Sequence, residues 1–199
     1  MAIIVDRDTR LVVQGLTGSE GRFHGLRNKA YGTKVVAGVT PGKGGQDVEG
    51  IPVFDTVADA VKEAGANTSL IFVPARFAVD AIYEAVDAGI GTVIAITEHV
   101  PAHEMLRAYP YFRSKGVTMI GPNCPGVLSP GKANVGIIPA EVFKAGSIGL
   151  VSRSGTLTYQ IGYEVAQRRL GNSTIVGIGG DPVVGSSFID VLERFEADP

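Results

Sequence analysis

Apolar and polar positions along this chain follow two periods. Leu11–Val13, Lys34–Val39, Ser69–Val73, Thr92–Ile96 and Val117–Ile120 are short and rich in Val, Ile and Leu, as strands buried on both faces are. Stretches of helical period lie between them: about Glu20–Tyr31, Thr56–Ala64 capped by Asp55 or Thr56, Phe77–Ala88, and Pro101–Lys115. Pro110 falls inside the last and is expected to kink or interrupt it. Strands alternating with helices predict an α/β fold, a parallel sheet with helices on both faces. Gly121–Pro139 then crowds proline and glycine into PNCPG and SPG, the texture of an ordered connecting loop and a domain boundary. A second series follows: strand Gly146–Val151, a tight turn Ser152–Gly155, helix Thr156–Leu170, a strand leading into GIGGD, and a short helix Ser187–Glu196. Two strands rarely make an independent sheet. The second half is therefore expected to lean on the first or on a partner, or the chain to be a truncated form of something longer, and truncation is favoured.

Composition narrows the function classes. With 45% hydrophobic and 19% charged residues in 199, the chain can bury a core and is not of the disordered class. A net charge of −2, mixed along the chain, offers no basic stripe for nucleic acid. No apolar run is long enough for a membrane helix, and Met1–Asp6 lacks the basic start of a signal peptide. The single cysteine, Cys124, excludes an internal disulfide and fits a reducing compartment.

The candidate chemistry sits at strand ends. After the first strand, QGLTGSEG places Gly15, Gly18 and Gly21 in a G-x-x-G-x-x-G run. This departs from the dinucleotide G-x-G-x-x-G but keeps its mechanics, a glycine turn feeding a helix start that can hold a phosphate. The second strand ends in Thr40-Pro41-Gly42-Lys43, without the acidic residue that an NAD ribose would want. Lys43 suits a phosphate instead, so the pair of loops reads as a site for a phosphorylated adenosine, with NADP as the weaker alternative. Thr97-Glu98-His99 ends the fourth strand at the same sheet edge, where Glu98 could accept a hydrogen bond from an adenine amine or a pantetheine amide. In the second series, Ser152, Ser154 and Gly155 open a helix whose free N–H groups and dipole favour an anion. An ordinary capped helix with Ser154 as N-cap is the alternative. Cys124 reads as a small buried residue. His24, His99 and His103 show no metal-ligand or triad spacing.

Six segments in order carry a resemblance: QGLTGSEG, YGTKVVAGVTPGKGG, ITE, GPNCPG, SRSGTLTY and GIGGDP. Together they resemble the α subunits of succinyl-CoA synthetase (succinate–CoA ligase) over essentially the whole chain. The resemblance implies a Rossmann-like CoA-binding domain over residues 1–121, a connecting loop over 122–145, and the first part of a flavodoxin-like domain over 146–199. It implies CoA contacts at Thr17, Gly18, Ser19, Glu20, Lys43, Ile96, Thr97 and Glu98, and a substrate contact at Tyr159. It further implies a ligase joining succinate and CoA through succinyl-phosphate and a phosphohistidine. ATP or GTP with Mg would sit on a partner ATP-grasp β subunit, in a cytoplasmic or mitochondrial-matrix setting. The helix after SRSGT would aim its start at the phosphohistidine, with Ser152, Ser154 and Gly155 stabilising phosphate. Two departures stand out. The family's histidine motif, of GHAGAI type downstream of GIGGDP, does not occur before Pro199, and none of the three histidines matches it. Glu20 stands where the family often has glutamine. A malate- or citrate-specific ligase and a non-catalytic CoA-binding module are the alternatives.

Overall fold

The structure is a computed structural model and describes residues 2–198. Its first sheet is built from β1 (Arg10–Gln14), β2 (Lys34–Val39), β3 (Val53–Phe54), β4 (Thr68–Ile71), β5 (Thr92–Ala95) and β6 (Thr118–Ile120). All neighbours run parallel, in the order β3-β2-β1-β4-β5-β6. The strand order reverses between β1 and β4, which opens a crevice at their carboxyl ends, where α/β proteins bind ligands. The connecting helices are α1 (Ser19–Tyr31), α2 (Val57–Ala64), α3 (Ala75–Asp87) and α4 (Ala102–Ser114).

The pleat sorts neighbouring residues into two cores. Val12, Ile71, Val93 and Ala95 face one side with Val57, Ala78, Ile82, Met105 and Phe112 from α2, α3 and α4. Leu11, Val13, Leu70 and Ile94 face the other. Each fully buried Leu or Ile there contributes about 1.5–3 kcal/mol relative to exposure. That second core also takes Val127, Val135, Val176 and Val191 from the second half of the chain, so the two halves share one apolar interior. The first sheet is thus covered by helices on one face, and by α1, the helix Phe188–Glu196 and a second sheet on the other.

The second sheet has the order β8-β7-β10-β9. Its strands are β7 (Gly126–Ser129), β8 (Ala133–Gly136), β9 (Ala145–Ser152) and β10 (Asn172–Gly177), with α5 (Gly155–Gln167) between the last two and α6 (Phe188–Glu196) after them. β9 and β10 are parallel, whereas β7 pairs antiparallel with both β10 and β8. The stretch 122–145, expected as a connecting loop, therefore holds a hairpin. Its strands are small-residue segments fully buried between α1 and β10, a position in which glycine and alanine pack without the side-chain signature of a strand. Thr33 Oγ1 donates to the Asn134 carbonyl at 2.8 Å and accepts from its N–H at 2.9 Å, which pins β8 beside the α1–β2 turn.

Pro110 does not interrupt α4, which is continuous from Ala102 to Ser114. Proline lies on the exposed side, and so does Leu106, at 60% exposure. The Leu106 carbonyl that loses its helical donor thus faces water, which supplies a replacement.

Candidate functional site

The GPNC loop joins the carboxyl ends of the two sheets. Gly121 N–H donates to the Ile178 carbonyl (3.2 Å), Asn123 N–H to Thr97 (2.9 Å), and Gly180 N–H to Asn123 (2.9 Å). Gly121 has φ +91°, and a Cβ there would overlap the Ala95 carbonyl oxygen, so only glycine fits the crossing. Arg153 ties the β9–α5 turn to the same place. Its guanidinium donates to the carbonyls of Gly179 and Gly180, both at 3.2 Å, and to that of Asp181. Asn123 Nδ2 donates to Asp181 Oδ1 at 2.9 Å.

Two cavities open along this edge. The first, about 620 Å³, lies at the β1/β4 crevice and is lined by Gln14–Gly15, Thr17–Gly21, Val39–Pro41, Phe72–Pro74, Phe77, Asp80, Ala81 and Glu84. The second, about 480 Å³, lies between the sheets, where Ile96, Thr97 and Glu98 face Asn123, Arg153, Gly155 and Tyr159. Glu20, Phe72 and Val73 line both, so the cavities form one groove across the strand ends. Both volumes are of ligand-site size.

At the start of α1 the N-cap is Gly18, which brings no side-chain cap. The N–H groups of the first turn are left for water or a ligand. Gly21 packs against the turn so closely that a Cβ would overlap the Gly15 carbonyl oxygen. Thr17 Oγ1 and Thr40 Oγ1 are 3.1 Å apart, and Thr40 passes its own proton to the Val39 carbonyl. At the start of α5, Ser154 Oγ accepts from Leu157 N–H at 3.2 Å. Ser152 Oγ donates to the Ser154 carbonyl and accepts from its N–H, both at 3.1 Å. The Ser152 hydroxyl, expected as an anion donor, is thus spent inside the turn, and only Gly155 of the three lines the groove.

The remaining expected residues separate into two groups. Thr17, Gly18, Ser19 and Glu20 line the first cavity; Glu20, Ile96, Thr97, Glu98 and Tyr159 line the second. Lys43 lines neither and stands exposed on the loop beyond Pro41. Tyr159 is half-buried, and burial raises the pKa of its phenol. Cys124 is buried and donates to the Ala95 carbonyl at 3.2 Å. Burial pushes its thiol pKa up to about 12, so it stays protonated at neutral pH and is a poor nucleophile.

Sequence reasoning missed His24 as a groove residue. Its ring stacks on Phe72, with centroids 5.6 Å apart, and Nε2 lies 3.7 Å from Glu20 Oε2. Burial holds its pKa below the ordinary value, opposed by the Glu20 carboxylate and assisted by Arg27. The i,i+4 spacing from Glu20 on a ligand-facing helix was the available signal. Among the described residues no cluster of three His, Cys, Asp or Glu could hold a metal ion, and no helix is long and apolar enough to cross a membrane.

A parallel sheet with a phosphate-type loop and a groove at its switch point defines a binder of a nucleotide-containing cofactor. Residues 6–99 match the family model described as the CoA binding domain. The chain is 58% identical over 198 residues to the alpha 2 subunit of succinate–CoA ligase (ADP-forming) from Archaeoglobus fulgidus, covering all of this chain and 69% of that one. It is 60% identical to the alpha subunit from Aquifex aeolicus and 50% identical to that from Staphylococcus aureus, covering 66% of each. The chain belongs to the succinate–CoA ligase alpha-subunit family, and it spans about two thirds of the length of these relatives. An ATP citrate lyase from Methanothrix soehngenii, solved with citrate and coenzyme A, shares the fold at TM-score 0.85 and 23% identity, over 99% of this chain and 35% of that one. A dinucleotide-forming acetyl-coenzyme A synthetase from Ca. Korarchaeum cryptofilum shares it at TM-score 0.77 and 22% identity, over 97% and 43%.

Proposed function

We propose that this chain captures CoA for a ligase that joins succinate to the CoA thiol at the expense of ATP or GTP. The observation that carries this reading is the continuous groove running from the uncapped start of α1 to the start of α5. The adenosine end of CoA fits the apolar first cavity between Pro41 and Phe77. The pyrophosphate takes the free N–H groups of Ser19 and Glu20, where the helix dipole favours negative charge. The pantetheine arm then passes Glu20 and Phe72 into the second cavity. There Glu98 and the Thr97 backbone meet its amides, and the thiol end comes to the Gly155 and Tyr159 side. The start of α5 stabilises phosphate on the acyl-transfer side. The nucleotide with Mg belongs to an ATP-grasp β subunit, and the phosphohistidine is not His24, His99 or His103. A reducing cytoplasmic or matrix setting suits the free Cys124.

Calorimetric titration with CoA, dephospho-CoA and NADPH tests the reading. Saturable one-site binding of CoA, weaker for dephospho-CoA and absent for NADPH, is expected. No CoA binding by the folded chain, or tighter binding of NADPH, would refute it.

A further inference from the structure

The first cavity has an electrostatic problem. Its charged lining consists of the carboxylates of Glu20, Asp80 and Glu84, with no Lys, Arg or His among the lining residues. A ligand carrying several phosphates needs cations at the rim. Most nearby cations are already engaged. Arg22 pairs with Glu49 at 2.8 Å, Lys29 donates to the Glu49 carbonyl, and Arg153 is held by the three carbonyls of the GIGGD loop.

Arg76 is different. It is the second residue of α3, exposed, with its guanidinium carbon 4.7 Å from the centroid of the Phe77 ring. Phe77, Asp80, Ala81 and Glu84 all line the first cavity. Residues 76, 80 and 84 are spaced i, i+4, i+8, so Arg76 opens the same stripe of α3. Among the described residues it makes no ion pair or hydrogen bond, and its five N–H donors remain available. Stacking on Phe77 lowers the entropy lost when the planar guanidinium then binds an oxyanion.

We propose that Arg76 is a binding residue for the phosphate on the adenosine end of CoA, reaching the ligand from the α3 side of the groove. The assignment rests on the CoA reading above. The pyrophosphate is served by the start of α1, at the inner end of the cavity; the ribose 3′-phosphate lies toward the Pro41–Phe77 end, beside Arg76. This makes Arg76 a determinant of the preference for CoA over its dephosphorylated form.

The test compares CoA and dephospho-CoA affinities, by calorimetry on the full chain, for the parent, Arg76→Ala and Arg76→Lys. Arg76→Ala should weaken CoA about tenfold and leave dephospho-CoA within about twofold, with Arg76→Lys intermediate because it keeps the charge but loses the fork. Thermal melting points should agree across the set, since the side chain is exposed and holds nothing else in place. Unchanged CoA affinity in Arg76→Ala would overturn the proposal. So would an equal loss for both ligands, which would place Arg76 away from the 3′-phosphate. If the parent itself binds no CoA, the ligand reading fails and this assignment falls with it, an outcome distinct from the other two.

Discussion

At the start of α1 the cap is a glycine without a side chain, following a central strand buried from Leu11 to Gln14 and opening into a 620 Å³ cavity. At the start of α5 the cap is Ser154, whose hydroxyl occupies the Leu157 N–H. That helix follows β9, an edge strand with several exposed residues. Both turns are rich in Ser and Gly, and both satisfy the same sequence rule for an anion site. What separates them is whether the orphan N–H groups are already paired. A glycine N-cap such as Gly18 costs only about a few tenths of a kcal/mol relative to a good side-chain cap, and such a cost is tolerable where a ligand takes the place of the cap. A capped start has two N–H groups left at most, and serves as a weaker or more transient phosphate contact.

The comparison can be broken by substitution. The largest effect is expected at Gly21. Gly21→Val forces a side chain into the Gly15 carbonyl, which should destabilise the chain by about 1–3 kcal/mol or displace the loop and abolish calorimetric CoA binding. A variant with parental affinity would show that the turn is not the phosphate cradle. Ser154→Ala should cost about 1 kcal/mol in denaturant unfolding by loss of the cap; no loss would mean that the serine hydroxyl is free for another partner. Gly155→Ala meets open space and should stabilise α5 by roughly 0.5–1 kcal/mol through helix propensity. The smallest effect concerns pH. The His24 pKa is lowered in the fold, so the unfolded chain takes up the proton first. Stability is then fully present above the ordinary value of 6.5 and lost as pH falls through the native pKa. The melting temperature should drop over that interval, and His24→Gln should flatten the drop. An equal drop in the variant would assign it to other groups.

Most of this architecture was legible in the sequence. The strand Lys34–Val39 has the expected bounds, and α1, α2, α3 and α4 lie within two residues of expectation. Their apolar periods and caps, such as Thr56 accepting from Asp59 N–H at 3.1 Å, are local properties. β3, two residues long, and the hairpin β7–β8 were not legible. Their residues become strands only through pairing with β2 and β10, and prolines and glycines mask them. The site was readable as loops at one sheet edge, because a parallel α/β order puts those loops together. Its continuity was not. The stitching of Asn123 to Thr97 and Gly180, and the stacking of His24 on Phe72, join residues tens of positions apart, which no spacing rule reaches. Lys43, on the loop beyond Pro41, stands outside both linings, as Arg76 does.

The most direct test of the central claim, that the uncapped start of α1 is the phosphate site, is an amide NMR titration of the isotope-labelled chain with CoA. The account predicts the largest shifts at the N–H groups of Ser19 and Glu20, with smaller changes at Gly155 and Thr156. Shifts confined to the α5 start, or saturation without change in the Gly15–Gly21 loop, would contradict it.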